Sequence, residues 1–182
     1  MNKSQVFDDY FSKETQLKNE KIQIWLEHSL FTWQWWFGVI VLLLSIFLWL
    51  KFRKKPSTDR LLYSGFFVMI SASILDILGH NLGLFHYHYE VFPLTVNYLP
   101  WSIVVIPVVV MFFLQYKPDA NPFLKSVIFS SLLSFIGLPF LRFIGIYHPV
   151  KWNVFYSFII LFIIYLIAHF LVQRDKFEKV ET

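Results

Sequence analysis

The chain has 182 residues, of which 57 % are apolar and only 15 % charged, against about 45 to 50 % and about 25 % in ordinary globular proteins. A mean hydropathy of +0.55 and 22 Phe leave more apolar surface than a water-facing shell of this size can hide, which excludes a soluble enzyme. With no Cys, disulfide scaffolds, thiolate zinc sites and cysteine nucleophiles are excluded as well, and the net charge of +4 has to be located before it is interpreted.

The first 32 residues carry four Lys and five acids and do not have the short basic start and brief apolar centre of a cleavable signal. Val6-Phe7 with Tyr10-Phe11, and Ile22 with Ile24-Trp25-Leu26, flank a charged run from Lys13 to Lys21. Phe7 and Phe11 suit one helical face, so residues 1–32 are expected to be an extracytoplasmic amphipathic helical segment, either lying on the membrane surface or standing in water until a partner orders it.

Five apolar segments follow, making residues 33–173 an all-α transmembrane domain. No Lys, Arg, Asp or Glu occurs for 23 residues between Glu27 and Lys51, enough for a helix to cross a hydrocarbon core of roughly 30 Å. A second span from Leu61 to about Leu82 carries one acid, Asp76. A third runs from about Tyr98 to Gln115, a fourth from about Phe123 to Phe143 with Arg142 at its far end, and a fifth from Trp152 to Gln173. Helices satisfy every backbone group internally, and these continuous runs lack the alternation of a β-barrel. Pro100, Pro107 and Pro139 remove backbone donors, so kinks are expected there, with Ser102 and Ser134 placed to satisfy freed carbonyls. Gly79 and Gly83 form a small-xxx-small pair that suits close helix approach, and Ser64, Ser71, Ser73, Ser126, Ser130 and Ser131 are small enough for interior packing.

Orientation follows from Lys and Arg. The connection Lys51–Arg60 holds five basic residues against one acid and is expected to be cytoplasmic, which puts the N-terminus outside and the tail, residues 174–182, inside. Lys117, Lys125, Arg174, Lys176 and Lys179 then also lie inside, while Trp33, Trp35, Trp36, Trp101 and Trp152 fall near the outer interface and Trp49 near the inner one. Topology thus accounts for the basic balance, with anionic lipid contact at most, and no nucleic-acid partner is expected.

Chemistry concentrates between Asp76 and Glu90, which hold two acids, an Asn and three of the six His residues. Asp76 and His80 are four apart, on one helical face, while His86, His88 and Glu90 share a face if the loop is extended. Three readings compete. In the first, His80, His86 and His88 with Asp76 or Glu90 hold a divalent metal, although the spacing matches no strong ligand motif. In the second, Asp76 and His80 do acid/base work at the outer leaflet, with Asn81, His86, His88 and Glu90 lining the site and Arg142 holding an anionic headgroup in its fork. In the third, Asp76 and Arg142 neutralise each other across helices two and four, and the aromatic loop anchors at the interface. No Gly-x-Ser-x-Gly elbow, P-loop or dinucleotide glycine pattern is present, and no cofactor is predicted. His148, His169 and Lys151 read as hydrogen-bonded or solvated residues.

The order Asp76, Gly83-Leu84-Phe85 with Tyr87, Pro93, Pro100, Pro107, Gln115-Tyr116 with Pro118, and Trp152 resembles an uncharacterised family of small five-helix membrane proteins of spore-forming Firmicutes. The resemblance covers roughly residues 60 to 170 and implies a bacterial plasma-membrane location without supplying an activity; a composition with only three Ala against many Phe, Ile and Lys is compatible. A fainter similarity is to the lycopene cyclase membrane domain, in which an acid, an aromatic loop and a Pro-led pair of glutamates recur. Here Trp101 and Ser102 follow Pro100, so the acids that would protonate a polyene are absent and only a prenyl-lipid ligand is implied. The expectation is therefore a non-enzymatic multi-pass accessory protein that binds a lipid or protein partner, or a second copy, near the outer leaflet. The alternatives are a small membrane enzyme acting on a lipid or isoprenoid, and a solute or ion carrier, which the lack of an evident internal repeat disfavours.

Overall fold

The computed structural model describes residues 3–93 and 98–174, and Lys176 and Lys179 of the expected cytoplasmic tail lie outside the described residues. It is helical throughout except for one short strand pair. The helices are α1 (Lys3–His28), α2 (Trp33–Phe52), α3 (Thr58–Asn81), α4 (Ile106–Gln115), α5 (Pro122–Ser131), α6 (Leu138–Phe143) and α7 (Val154–Val172). Strands β1 (Phe85–Tyr87) and β2 (Tyr147–Pro149) pair antiparallel, with His86 opposite His148 and Tyr87 opposite Tyr147.

Four helical stretches are long and apolar enough to cross a membrane: Trp33–Phe52, Lys55–Asn81, Pro122–Phe143 and Val154–Val172. The expected third span is instead a shorter apolar helix, Pro100–Gln115. At 1.5 Å per residue it reaches about 24 Å, short of a typical hydrocarbon core. It is also the most enclosed: Ile106, Pro107, Val108, Val110, Met111 and Leu114 of α4 are all buried. Around it, α7 packs on α5 and α3, α3 packs on α4, and α2 leans on the start of the central helix. Outward faces are apolar, as at Ile40, Leu43 and Phe47 on α2 and Ile159 and Ile163 on α7, the reverse of a water-soluble surface.

Start and stop signals are local. Thr32 accepts a hydrogen bond from the Trp35 amide at the head of α2, and Asn153 does the same for Phe155 at the head of α7. Asn121 accepts from the amides of Phe123 and Leu124, with Pro122 at the first helical position of α5. At the same end, Lys125 is buried and donates to the carbonyls of Tyr116 (2.8 Å) and Lys117 (3.3 Å), which stabilises the C-terminus of α4. Gln115 bridges to the C-terminus of α2, accepting from the Lys54 amide and donating to the Phe52 carbonyl. The basic connection 51–60 thereby lies at one end of the bundle with Lys117, and the strand pair lies at the other.

Two prolines shape the backbone as expected, but by a wide turn. Pro107 and Pro139 are each preceded by a π-helical turn, Pro100–Val105 and Leu132–Gly137, in which Ile106 N–H donates to Trp101 O and Leu138 N–H to Leu133 O. A proline ring clashes with the carbonyl four residues back and offers no donor to it. A locally wider helix moves that carbonyl aside and lets its neighbours bond over five residues.

Two serines pack and bond between helices as anticipated: Ser64 donates to Ala168 O across α3 and α7 at 2.9 Å, and Ser126 to Phe162 O across α5 and α7 at 2.8 Å. Ser102 and Ser134 do not satisfy the carbonyls freed by the prolines: Ser102 donates to the Asp76 carboxylate, and Ser134 Oγ has no hydrogen-bond partner among the described residues, because the π-helical turns re-bond the backbone themselves. The glycine pair does not bring two helices together. Gly79 admits a side chain from the lid, since a Cβ there would lie 2.3 Å from the Phe85 ring. Gly83 has φ +65° and ends α3, with its own amide bonded to His80 O and that of Leu84 to Gly79 O. Gly145, φ +79°, ends α6 with the same pattern, Gly145 to Arg142 O and Ile146 to Leu141 O. Gly79→Val is expected to displace Phe85 and destabilise the protein by about 1 to 3 kcal/mol, whereas Gly83→Ala should lose about 1 to 2 kcal/mol through backbone strain alone. Thermal melts of the detergent-solubilised variants, with near-ultraviolet circular dichroism reporting the Phe85 cluster in the first only, check both.

Candidate functional site

The two glycine-ended corners place β1 over the end of α3 and β2 over the end of α6, and pairing joins them into a small lid. Period-2 alternation gives the lid two faces. Phe85, Tyr87 and Tyr147 are buried beneath it, and His86, His88 and His148 stand on top.

Below the lid lies Asp76, on the inward side of α3. Its Oδ1 accepts a hydrogen bond from the Tyr87 hydroxyl at 3.0 Å, and its Oδ2 accepts one from Ser102 Oγ in the π-helical turn that begins the central helix. A carboxylate surrounded by apolar helices has to be given donors of this kind. It lines a cavity of about 70 Å³ whose walls include Ala72, Phe85, Tyr87, Trp101, Leu138, Tyr147, Trp152 and Ser157. The aromatic walls touch one another: Phe85 to Trp152 is 5.5 Å between ring centroids, Phe85 to Tyr147 is 5.7 Å and Tyr87 to Tyr147 is 5.6 Å. Trp152 Nε1 donates to Ser157 Oγ at 2.8 Å, which fixes that indole at the rim. Burial raises the Tyr87 and Tyr147 hydroxyls well above the ordinary phenol value, with the charge of Asp76 acting in the same direction, so both remain donors.

On the upper face the register brings three imidazoles together. His86 and His88 approach at 3.1 Å between their Nε2 atoms, the His86 and His148 rings are 4.7 Å apart, and His88 Nδ1 is 3.2 Å from the Gly145 carbonyl. The last contact makes Nδ1 of His88 the protonated nitrogen. Desolvation, followed by the neighbouring His88, His148 and His80, pushes His86 below the usual histidine value.

The loop beyond β1 is pinned by the N-terminal helix. Tyr89 has φ +54°, which ends the alternation and turns Glu90 into the protein, away from the His86 and His88 face it was expected to share. Glu90 is buried, pairs with Lys21 at 2.8 Å, and its carbonyl accepts from Trp25 Nε1 at 2.6 Å. Trp35 Nε1 donates to the next carbonyl, Val91 O. Among the described residues the rest of α1 makes no extended packing with another element, and Phe7, Tyr10 and Phe11 are exposed.

The remaining expected site residues are not assembled. His80 makes no hydrogen bond to Asp76, and its Nδ1 is buried without a partner. Asn81 is exposed at the end of α3. Arg142 is exposed, forms no ion pair with Asp76, and sits beside Tyr147 in a separate groove with Lys151 and Asn153. Asp76 takes its partners from hydroxyls because β1 and the π-helical turn reach it first, so the expected Asp76–Arg142 neutralisation does not form. Among the described residues no three His, Asp or Glu side chains are arranged to hold one metal ion. Sequence reasoning missed Tyr87, Trp101, Tyr147 and Ser157 as cavity walls and His148 as the lid's third imidazole. The available signal was the repeated order of a glycine, an apolar residue, then alternating aromatic and His residues, in Gly83–His88 and again in Gly145–His148.

The chain matches no family model, no curated protein and no solved structure.

Burial raises the Glu90 carboxyl from 4.5 to about 7, with Lys21 drawing it back only in part. The folded corner thus holds a proton that the exposed group has lost, so its stability is fullest below about pH 4.5 and falls as pH rises through about 7. Hydrogen exchange at residues 85–93 and at the C-terminal end of α1, corrected for the intrinsic base-catalysed rise, should lose protection between about pH 4.5 and about pH 7, and Glu90→Gln should flatten that dependence.

Proposed function

We propose that this is a five-span membrane protein of a bacterial cell membrane, non-enzymatic, that binds a lipid or lipid-like ligand at the outer leaflet in the cavity beneath the lid. The observation that carries the reading is the placement of one carboxylate, oriented by two hydroxyl donors, in an aromatic-walled space between helices. Apolar walls with few convergent polar groups are the usual form of a small-ligand site. Leu75, Ile160 and Ile164 complete the apolar lining, so the cavity suits the polar end of a lipid whose chains lie outside it.

In this reading the short central helix is the fifth span, its length made up by the lid, and the basic connection 51–60 faces the cytoplasm by the positive-inside rule. The lid and α1 are then extracytoplasmic, and the exposed Phe7, Tyr10 and Phe11 of α1 rest on the membrane surface or on a partner protein. An Asp76/His80 acid/base enzyme is the weaker reading, since no hydrogen bond joins the two side chains among the described residues and the carboxylate is engaged by hydroxyls.

Native mass spectrometry of gently solubilised protein is expected to show one retained lipid-sized adduct per chain. Ala72→Leu, which adds roughly the volume of the cavity, should lose the adduct with only a small change in the melting transition. Equal retention by both proteins would remove the cavity from the proposal.

A further inference from the structure

We infer that the group recognised beside Asp76 is an alkylammonium: an amine-bearing lipid headgroup or a free small ammonium ion. The inference rests on the ligand-binding reading and names the chemistry of its polar end.

Charge balance is the first argument. Tyr87 and Ser102 supply Asp76 with neutral donors, no ion pair involves it among the described residues, and no Lys, Arg or His lines the cavity. A carboxylate so placed needs either a proton or a counter-cation from outside, and it retains lone-pair sites beyond the two in use.

The walls are the second. Phe85, Tyr87, Trp101, Tyr147 and Trp152 surround the same space, and their π faces are electron-rich. Aromatic rings lining the space beside a carboxylate favour a cation over an anion, as in sites that bind ammonium groups. A phosphate or carboxylate headgroup would be repelled by Asp76.

Size is the third. A cavity of about 70 Å³ is too small for a sugar or a nucleotide base. It is under half of the roughly 150 Å³ that accommodates benzene, so it takes a primary ammonium and excludes a benzene-sized trimethylammonium.

The test is isothermal titration calorimetry on the full chain in nanodiscs made only of phosphatidylglycerol, so that no competing amine is present. The probes are ethanolamine and 1-propanol, which carries a methyl in place of the ammonium. Saturable ethanolamine binding is expected, with 1-propanol about tenfold or more weaker, and Asp76→Asn should reduce ethanolamine binding by about tenfold. Trp152→Phe, which keeps an aromatic wall of lower cation affinity, should weaken ethanolamine several-fold and guards against a misfolded Asp76 variant. A parallel arm exchanges phosphatidylethanolamine into the discs: loss of ethanolamine binding assigns the site to the lipid headgroup, and unchanged ethanolamine binding assigns it to a free ammonium. Equal affinity for ethanolamine and 1-propanol, or an Asp76→Asn variant that melts normally and binds ethanolamine as well as the parent, overturns the inference while leaving a ligand cavity intact. Absence of binding by either probe together with no lipid adduct in native mass spectrometry overturns both.

Discussion

A carboxylate inside an apolar bundle has to be hydrogen-bonded or it will not remain there, and this chain meets that requirement from two distant places. One donor, Tyr87, comes from the lid that folds back after α3, and the other, Ser102, comes from the π-helical turn opening the central helix. Three segments separated in sequence are therefore fixed by one side chain. The lid can sit only where Tyr87 reaches Asp76, and the central helix can begin only where Ser102 does. The cavity is what remains between them once both conditions are met.

Irregular backbone gathers around the same point. Trp101 and Ser102 belong to one π-helical turn, and Leu138, a wall of the cavity, immediately follows the other. Each turn exists because a proline a few residues on cannot donate the ordinary helical bond. Within a membrane such departures are tolerated where the backbone is enclosed by protein or lines an internal space. Both turns meet that condition, which links the positions of Pro107 and Pro139 to the existence of a site without either proline touching it.

Much of the architecture was legible in composition and charge. Gaps between charged residues located the long helices to within a few residues, and the five basic residues of 51–60 marked the end that opposes the lid. The central helix was overestimated because apolar character says where a chain avoids water, and not where its helix begins. At Tyr98 the chain is already buried, but the regular helix starts only around Pro100. Asp76 was legible as well, being the one acid in its span. Its partners were not. Helical periodicity pointed to His80 four residues on, whereas the donors come from eleven and twenty-six residues away and depend on how the chain reverses at Gly83. Glu90 was assigned to the His86 and His88 face by strict alternation, which a single left-handed residue, Tyr89, was enough to cancel.

The undersized central helix has a geometric consequence for the bundle. Four helical stretches around it are long and apolar enough to cross a membrane where it is not, so its shortfall falls inside the bundle, beneath two three-residue strands. A chain of the same outline with two more turns in that helix would fill the space that those strands now roof.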